Sequence, residues 1–223
     1  MMQKVVDSPT LRNRHYVFKD RLQAGILLAT ELERYAKESA ILLALPAGGV
    51  PVGYEVSKRL GIPLHVAVVR KIQIPWNTEV GFGAVTWDGF IVLNDMLVRE
   101  LGLTSSQIEN CISRTRRIVS ERIRKFSREK LPEMRDQTVI LADDGLASGY
   151  TMMAAVDSVR RQNPERIIVA VPTGSKGSVR LISSKVDLLI CLNIRAGPVF
   201  AVADAYEEWH DLTDEEVMRY LRK

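Results

Sequence analysis

Apolar residues recur at helical intervals over residues 21–38, through Leu22, Ile26, Leu27, Ala29, Leu32 and Tyr35, and predict a first helix. The pattern then switches to a short continuous run, Ile41-Leu42-Leu43-Ala44-Leu45, stopped by Pro46 and Gly48-Gly49. Such a run suits a parallel strand buried on both faces. Residues 51–60 read as a helix that opens with a proline and closes before Gly61, and Leu64 to Val69 read as a second buried strand ending at Arg70 and Lys71. Together these pieces form a βαβ unit. From Ile72 to Leu93, Pro75, Gly81, Gly83 and Gly89 break the chain into short β-prone pieces, which predicts a mobile loop followed by a hairpin over about 71–93. Thr104-Ser105-Ser106-Gln107 has the form of a capping box, and Ile108, Ile112, Val119, Ile123 and Phe126 continue the helix that it starts.

The alternation continues to the end of the chain. Val139-Ile140-Leu141-Ala142 is a third buried strand, and a helix from about Thr151 to Arg161 follows it. Residues 166–171 and 186–192 add two strands with a short helix from about Gly177 to Ser184 between them. Thr213 with Glu216 caps a terminal helix that runs close to Lys223. Alternating strands and helices imply an α/β fold, a parallel, doubly wound sheet with helices on both faces. No repeat, low-complexity tract or linker divides it, so one domain is expected over 1–223. Its core would span about 20–195, and a terminal segment would span about 196–223.

Composition narrows the function classes. The 223 residues are 46% hydrophobic and 26% charged, enough apolar material for a substantial core. A balance of 31 Lys plus Arg against 27 Asp plus Glu leaves a net charge of +4, a modest preference for anions. The one dense basic stretch, Arg114 to Lys130, is interrupted by Glu121 and Glu129 and has helical spacing, which is expected of a solvated helix face. A nucleic-acid partner is therefore not expected. Cys111 and Cys191 form no Cys-x-x-Cys pair, the start from Met1 to Asp7 has no apolar core of signal-peptide length, and no stretch approaches the length of a membrane span. A reduced, cytoplasmic setting is the expectation. His15, His65 and His210 share no metal-ligand spacing.

The chemistry concentrates after the third buried strand, in Asp143-Asp144-Gly145-Leu146-Ala147-Ser148-Gly149-Tyr150-Thr151. In an open parallel sheet, ligands gather beyond the carboxyl ends of the strands. Two adjacent acids there repel one another unless something bonds them. The small residues, hydroxyls and helix start that follow can cradle a phosphate. One loop thus offers acceptors for sugar hydroxyls and donors for a phosphate, the two groups of a ribose 5-phosphate. That reading requires the turn to be open to solvent, with the acids not both buried in ion pairs with protein cations.

The segment Val139 to Thr151 resembles the signature of the type I phosphoribosyltransferases: an apolar strand, two acids, a spacer, then Thr or Ser, Gly, any residue and Thr. The resemblance implies that Asp143 and Asp144 hold the ribose hydroxyls of 5-phosphoribosyl-1-pyrophosphate (PRPP), while Gly145 to Thr151 surround its 5-phosphate. Leu45-Pro46-Ala47-Gly48-Gly49-Val50-Pro51 resembles the family's pyrophosphate loop, and in particular a bacterial and archaeal subgroup that reads Leu-Pro-Arg-Gly-Gly-Val-Pro. Ala47 stands where that subgroup has arginine, which puts turnover in question more than folding. Arg70 and Lys71, heading the loop with Asn77-Thr78-Glu79, resemble a basic strand end and catalytic loop that neutralise departing pyrophosphate. Phe200 to Trp209 resembles the region that meets the acceptor, where Phe200, Tyr206 and Trp209 could stack on a planar ring. The Val202-Ala203-Asp204-Ala205-Tyr206 stretch departs from the subgroup's Val-Gly-x-Trp-Tyr, so the likeness stops there.

The resemblance further implies transfer of the phosphoribosyl group to a small nitrogenous acceptor such as a nucleobase, with pyrophosphate released. Mg2+ would be held mainly by substrate oxygens and water, with Asp143 and Asp144 reaching it only through ribose or water. A small hood or flexible-loop subdomain and a homodimer are expected with it. Ala47 and the basic helix feed the alternative, a non-catalytic regulator of the same fold that binds PRPP or a nucleotide. A sugar-phosphate hydrolase is weaker, because Asp143-Asp144 lacks the Asp-x-Asp spacing of an aspartyl-phosphate nucleophile.

Overall fold

A computed structural model describes residues 4–33, 40–126 and 130–222, with the side chains of residues 78 and 79 outside that description. In chain order the elements are β1 (Val5–Val6), α1 (Arg21–Leu32), β2 (Ala40–Ala44), α2 (Gly49–Leu60), β3 (Leu64–Val66), β4 (Arg70–Ile74), β5 (Asn77–Val85) and β6 (Ile91–Leu93). They continue with α3 (Asp95–Glu100), α4 (Ser105–Phe126), β7 (Thr138–Ala142), α5 (Tyr150–Arg160), β8 (Arg166–Ser175), α6 (Lys176–Ser183), β9 (Leu188–Arg195), a 3-10 turn (Ala203–Ala205) and α7 (Asp214–Leu221).

Six strands form one parallel sheet in the order β1-β9-β8-β7-β2-β3. Alternation along the strands sends their side chains to opposite faces. Leu43, Leu141, Val169 and Leu189 pack with α5 and α6 through Ala155, Val159 and Ile182. Leu42, Ile140, Ile168 and Ile190 pack instead with α1 and α2 through Leu28, Val52 and Val56. The expected double winding is therefore present. The chain leaves β2 outward to β3 and returns with β7 on the other side of β2, and the helices after β2 and β7 cover opposite faces. The crevice between β2 and β7 is thus a topological switch point, where open α/β sheets bind ligands. Ala44 pairs with Ala142, so the two following loops start at the same level.

Residues 70–93 differ from the expected loop and hairpin. Strand β3 stops at Val66, and β4, β5 and β6 form an antiparallel three-stranded sheet, with Arg70 beginning the first strand rather than ending a buried one. Glycines that read as breakers have packing reasons: a Cβ on Gly83 would lie 2.4 Å from the Val92 carbonyl oxygen, and one on Gly81 2.1 Å from Lys71 Cγ. This sheet shares a separate apolar cluster with α4 and α7, containing Ile72, Ile74, Phe82, Val119, Phe126 and Val217, and forms the hood.

Smaller differences lie at boundaries. Helix α1 is described only to Leu32, and the part of the expected helix over 34–38 lies outside the described residues, as do Arg128, Glu129 and Lys223. Strands β8 and β9 run on to Ser175 and Arg195, past the expected ends at 171 and 192. Strand β1 and helix α3 carried no recognisable pattern because they are only 2 and 6 residues long. Among the described residues, no helix is long and apolar enough to cross a membrane.

Candidate functional site

Asp143 and Asp144 sit at the carboxyl end of β7, against the loop that follows β2. A Cβ on Gly48 would lie 1.8 Å from Asp144 Oδ2, and one on Gly49 would lie 2.6 Å from the Ala142 carbonyl oxygen. Only glycines allow the two loops this closeness. Asp143 Oδ1 accepts the Asp144 backbone N–H at 2.9 Å. Asp144 Oδ2 accepts Arg21 Nε at 2.9 Å, with side-chain exposures of 9% for Arg21 and 14% for Asp144. Arg21 is fixed in turn by a bond to the His210 carbonyl at 3.0 Å and by the Trp209 ring, 3.8 Å below its guanidinium.

Burial pushes the Asp143 carboxyl well above the ordinary carboxylate range, and the charge of Asp144 adds to the push. Burial also raises Asp144, but the neighbouring Arg21 opposes it. Asp144 is thus the acid with a protein counter-ion, while Asp143 makes no direct ion pair among the described residues.

The rest of the loop is held from below and open above. Leu146 N–H donates to the Thr173 carbonyl at 2.9 Å and Ser175 N–H to the Leu146 carbonyl at 3.1 Å. Ser178 Oγ donates to the Leu146 carbonyl at 2.8 Å, and Ser175 Oγ to the Ala147 carbonyl at 3.1 Å. Carbonyl oxygens are thereby turned inward, while Ala147, Ser148 and Tyr150 are exposed. Gly149 has φ +80°, a conformation that side chains rarely adopt, and precedes α5 without any side-chain cap. Among the described residues the N–H groups of 147–151 have no hydrogen-bond partner, so they are free to bind an anion. The N–H groups of Ala47 and Gly48, across the crevice, are equally unbonded, and α2 also starts without a side-chain cap. The Pro46–Ala47 peptide there is cis.

This geometry places two uncapped helix starts and an acid pair around one crevice. Residues 19–204 match the family model described as the phosphoribosyl transferase domain. The chain belongs to the phosphoribosyl transferase family. Two Mycobacterium tuberculosis proteins, from strains CDC 1551 / Oshkosh and H37Rv, each named "Putative phosphoribosyl transferase", are 36% identical over 210 residues and match 92% of the chain. The match takes in 46% of those proteins, so the chain spans about half the length of the curated relatives. The solved structure of TT1426 from Thermus thermophilus is 35% identical with a TM-score of 0.75, covering 92% of this chain and 97% of that one.

Not every residue expected at a phosphoribosyl transferase site converges here. Tyr206 is buried, packed against Phe18 and Trp209, and its hydroxyl donates to the Asp144 carbonyl at 2.6 Å. The expectation that it stacks on an acceptor is therefore corrected: it is a strut beneath the loop. Burial, with the charge of Asp144, pushes its phenol well up, so it stays a donor. Trp209 presents a ring face to Arg21. Phe200 alone of the three borders a cleft of about 430 Å3, beside Ala147, Ser148, Ser175, Lys176 and Arg195. Arg70 has Arg122 and Asp214, on α4 and α7, as its charged neighbours, not the acid pair.

Arg21, Lys176 and Arg195 were missed by sequence reasoning. Arg21 opens a helix and looks like a surface cation until β7 is placed beside it. Arg195 is buried and bonded to Asp204 at 3.1 Å and to His15 at 3.0 Å, contacts that span up to 180 residues of sequence.

Proposed function

We propose that this chain transfers the 5-phosphoribosyl group of PRPP to a nitrogenous base or related small acceptor, with release of pyrophosphate. The observation that carries this reading is the crevice itself, where the acid pair lies between two uncapped helix starts. The N–H groups of 147–151 would receive the 5-phosphate, those of Ala47 and Gly48 the pyrophosphate, and the carboxylates between them the ribose hydroxyls. Asp143 and Asp144 would also stabilise positive charge on the ring as the anomeric bond to pyrophosphate lengthens. The acceptor nitrogen then attacks that carbon, and held geometry supplies much of the acceleration. The cleft beside Phe200 is the place for the acceptor.

Among the described residues no group of three or more His, Cys, Asp or Glu could hold a metal. The acid pair suits Mg2+ bound chiefly by substrate oxygens and water, with Asp143 in contact through ribose or water. Such an ion would spread the leaving group's charge when bound. Lys71 would share that task; Arg70, directed toward α4, is a weaker candidate for it. A homodimer and a cytoplasmic setting belong to the same proposal.

Ala47 favours a second reading, a regulator that binds PRPP or a nucleotide without turnover, since an alanine offers the pyrophosphate no charge. Pyrophosphate release from PRPP and Mg2+, followed across a panel of bases, separates the two. Transfer is expected in the native chain, loss of it in Asp144→Asn, and weaker PRPP binding in Ser148→Ala. PRPP binding with no release for any acceptor would leave the regulator. Unchanged transfer in both variants would remove the assignment of the loop.

A further inference from the structure

The hood holds more cations than Lys71, the one best suited to the departing pyrophosphate. Between β4 and α4 lies a cleft of about 50 Å3, lined by Arg70, Lys71, Gln73, Cys111, Arg114 and Thr115, among other residues. A single water needs roughly 10–15 Å3 on this measure, so the cleft has room for one phosphate-sized group. Arg70 is half-buried there, and among the described residues its guanidinium makes no hydrogen bond and no ion pair. Its burial and the charge of Arg122 both push its pKa below the ordinary arginine value.

Among the described residues the nearby acids do not relieve it. Asp214 is already bonded to Arg122 at 3.0 Å and to Lys125 at 3.2 Å, and Lys125 also holds Glu215 at 3.0 Å. Arg114, on the rim of the same cleft, is exposed and likewise has no partner among the described residues. The Thr115 hydroxyl donates to the Cys111 carbonyl at 2.8 Å, and among the described residues no carboxylate lines the cleft.

A solvated basic face accounts for Arg116, Arg117 and Arg124, which are exposed and outside the cleft. It does not account for Arg70, whose five donors are partly withdrawn from water with no acceptor among the described residues. A guanidinium fork in that state matches a phosphate, which it can bind through two parallel hydrogen bonds. We propose that the cleft between β4 and α4 is a second anion site, which takes the phosphate group of a small ligand on Arg70 and Arg114. It is separate from the loop over 143–151 and stands whether or not the chain transfers phosphoribosyl groups.

The test is nuclear magnetic resonance of the full chain with 15N-labelled arginine, titrated with inorganic phosphate, then with pyrophosphate, then with a nucleoside monophosphate. The Nε signals of Arg70 and Arg114 are expected to move together with one dissociation constant, and the tightest of the three probes identifies the source of the phosphate. Arg114→Glu, a surface change that leaves the fold intact, weakens this binding by about tenfold or more. Arg70→Lys keeps the charge, loses the fork and weakens it less. Signals that stay fixed up to about 10 mM of all three probes, or that move equally in Arg114→Glu, overturn the site. A parallel PRPP titration read at the Ser148 and Gly149 amides tests the transfer site, so either proposal can fail alone.

Discussion

The described α-helices of this chain begin in two different ways. Five start from a side chain that bonds their first free N–H groups: Asp20 for α1, Asn94 for α3, Thr104 for α4, Ser175 for α6 and Thr213 for α7. Helices α2 and α5 start from Gly48 and Gly149 with no such bond. Both uncapped starts flank Asp143 and Asp144, and none of the capped ones follows β2 or β7. A glycine in place of a capping side chain costs a helix only a few tenths of a kcal/mol, a cost this fold accepts twice in one place. What the two helices share is the crevice, so the omission is best understood as reserving their N–H groups for an anion.

The frame that keeps these two starts open depends on Arg21, which holds the Asp144 carboxylate against Gly48. Arg21→Gln is expected to have the largest effect: about 3 kcal/mol of stability, as measured by urea unfolding, because it strands a largely buried carboxylate. With its counter-ion gone, Asp144 would rise further above the ordinary carboxylate range and hold its proton at higher pH. PRPP affinity in the variant should therefore fall at neutral pH and partly recover as pH rises. The fold itself should weaken over the same rise, because an acid whose folded pKa is raised loses stability as it ionises. A variant as stable as the native chain, with PRPP affinity independent of pH, would show that the pair does not set the frame.

Turning an open start into a filled one breaks the comparison more directly. Ser148→Asp puts a carboxylate where the 5-phosphate is proposed to lie. It is expected to cost about 100-fold in PRPP affinity, or ~2.7 kcal/mol, by calorimetry. The same charge beside the start of α5 should stabilise the unliganded chain by about 0.5 kcal/mol. Opposite signs for binding and stability would mark a start kept open for a ligand. Losses in both would mean that Ser148 serves the fold.

The sheet was legible because its strands are buried on both faces and read as unbroken apolar runs, as in Ile41 to Leu45 and Val139 to Ala142. The loop over 143–151 was legible because its backbone requirements are local: a glycine at positive φ, small neighbours and a helix start. The hood was not, since Gly81 and Gly83 mark close approaches between strands, which a sequence cannot distinguish from a break. Tyr206 misled for a similar reason: an aromatic near the end of the chain looks the same whether it meets a ligand or braces the Asp144 carbonyl. Arg21 was silent because its partner lies 123 residues away.

The smallest expected effect comes from the capped side of the comparison. In α7, Thr213 Oγ1 accepts the Glu216 N–H at 3.2 Å and also donates to Glu216 Oε2 at 3.0 Å, while the Thr213 N–H donates to the same carboxylate at 2.8 Å. Those bonds, the backbone one first, then that from His210, hold the Glu216 carboxyl down at about 2. Because the folded value lies below the unfolded one, the carboxylate supports the helix above its ordinary value of 4.5 and that support fades as pH falls from there toward about 2. Thr213→Ala removes the hydroxyl and should lower the Tm by roughly 2–4 °C at neutral pH, with a gap to the native chain that narrows through that acid window. PRPP affinity should not change, since this cap serves only its own helix. A drop in affinity as large as that of Ser148→Asp would mean that capped and uncapped starts do not differ in purpose, and the division drawn between them would have to be abandoned.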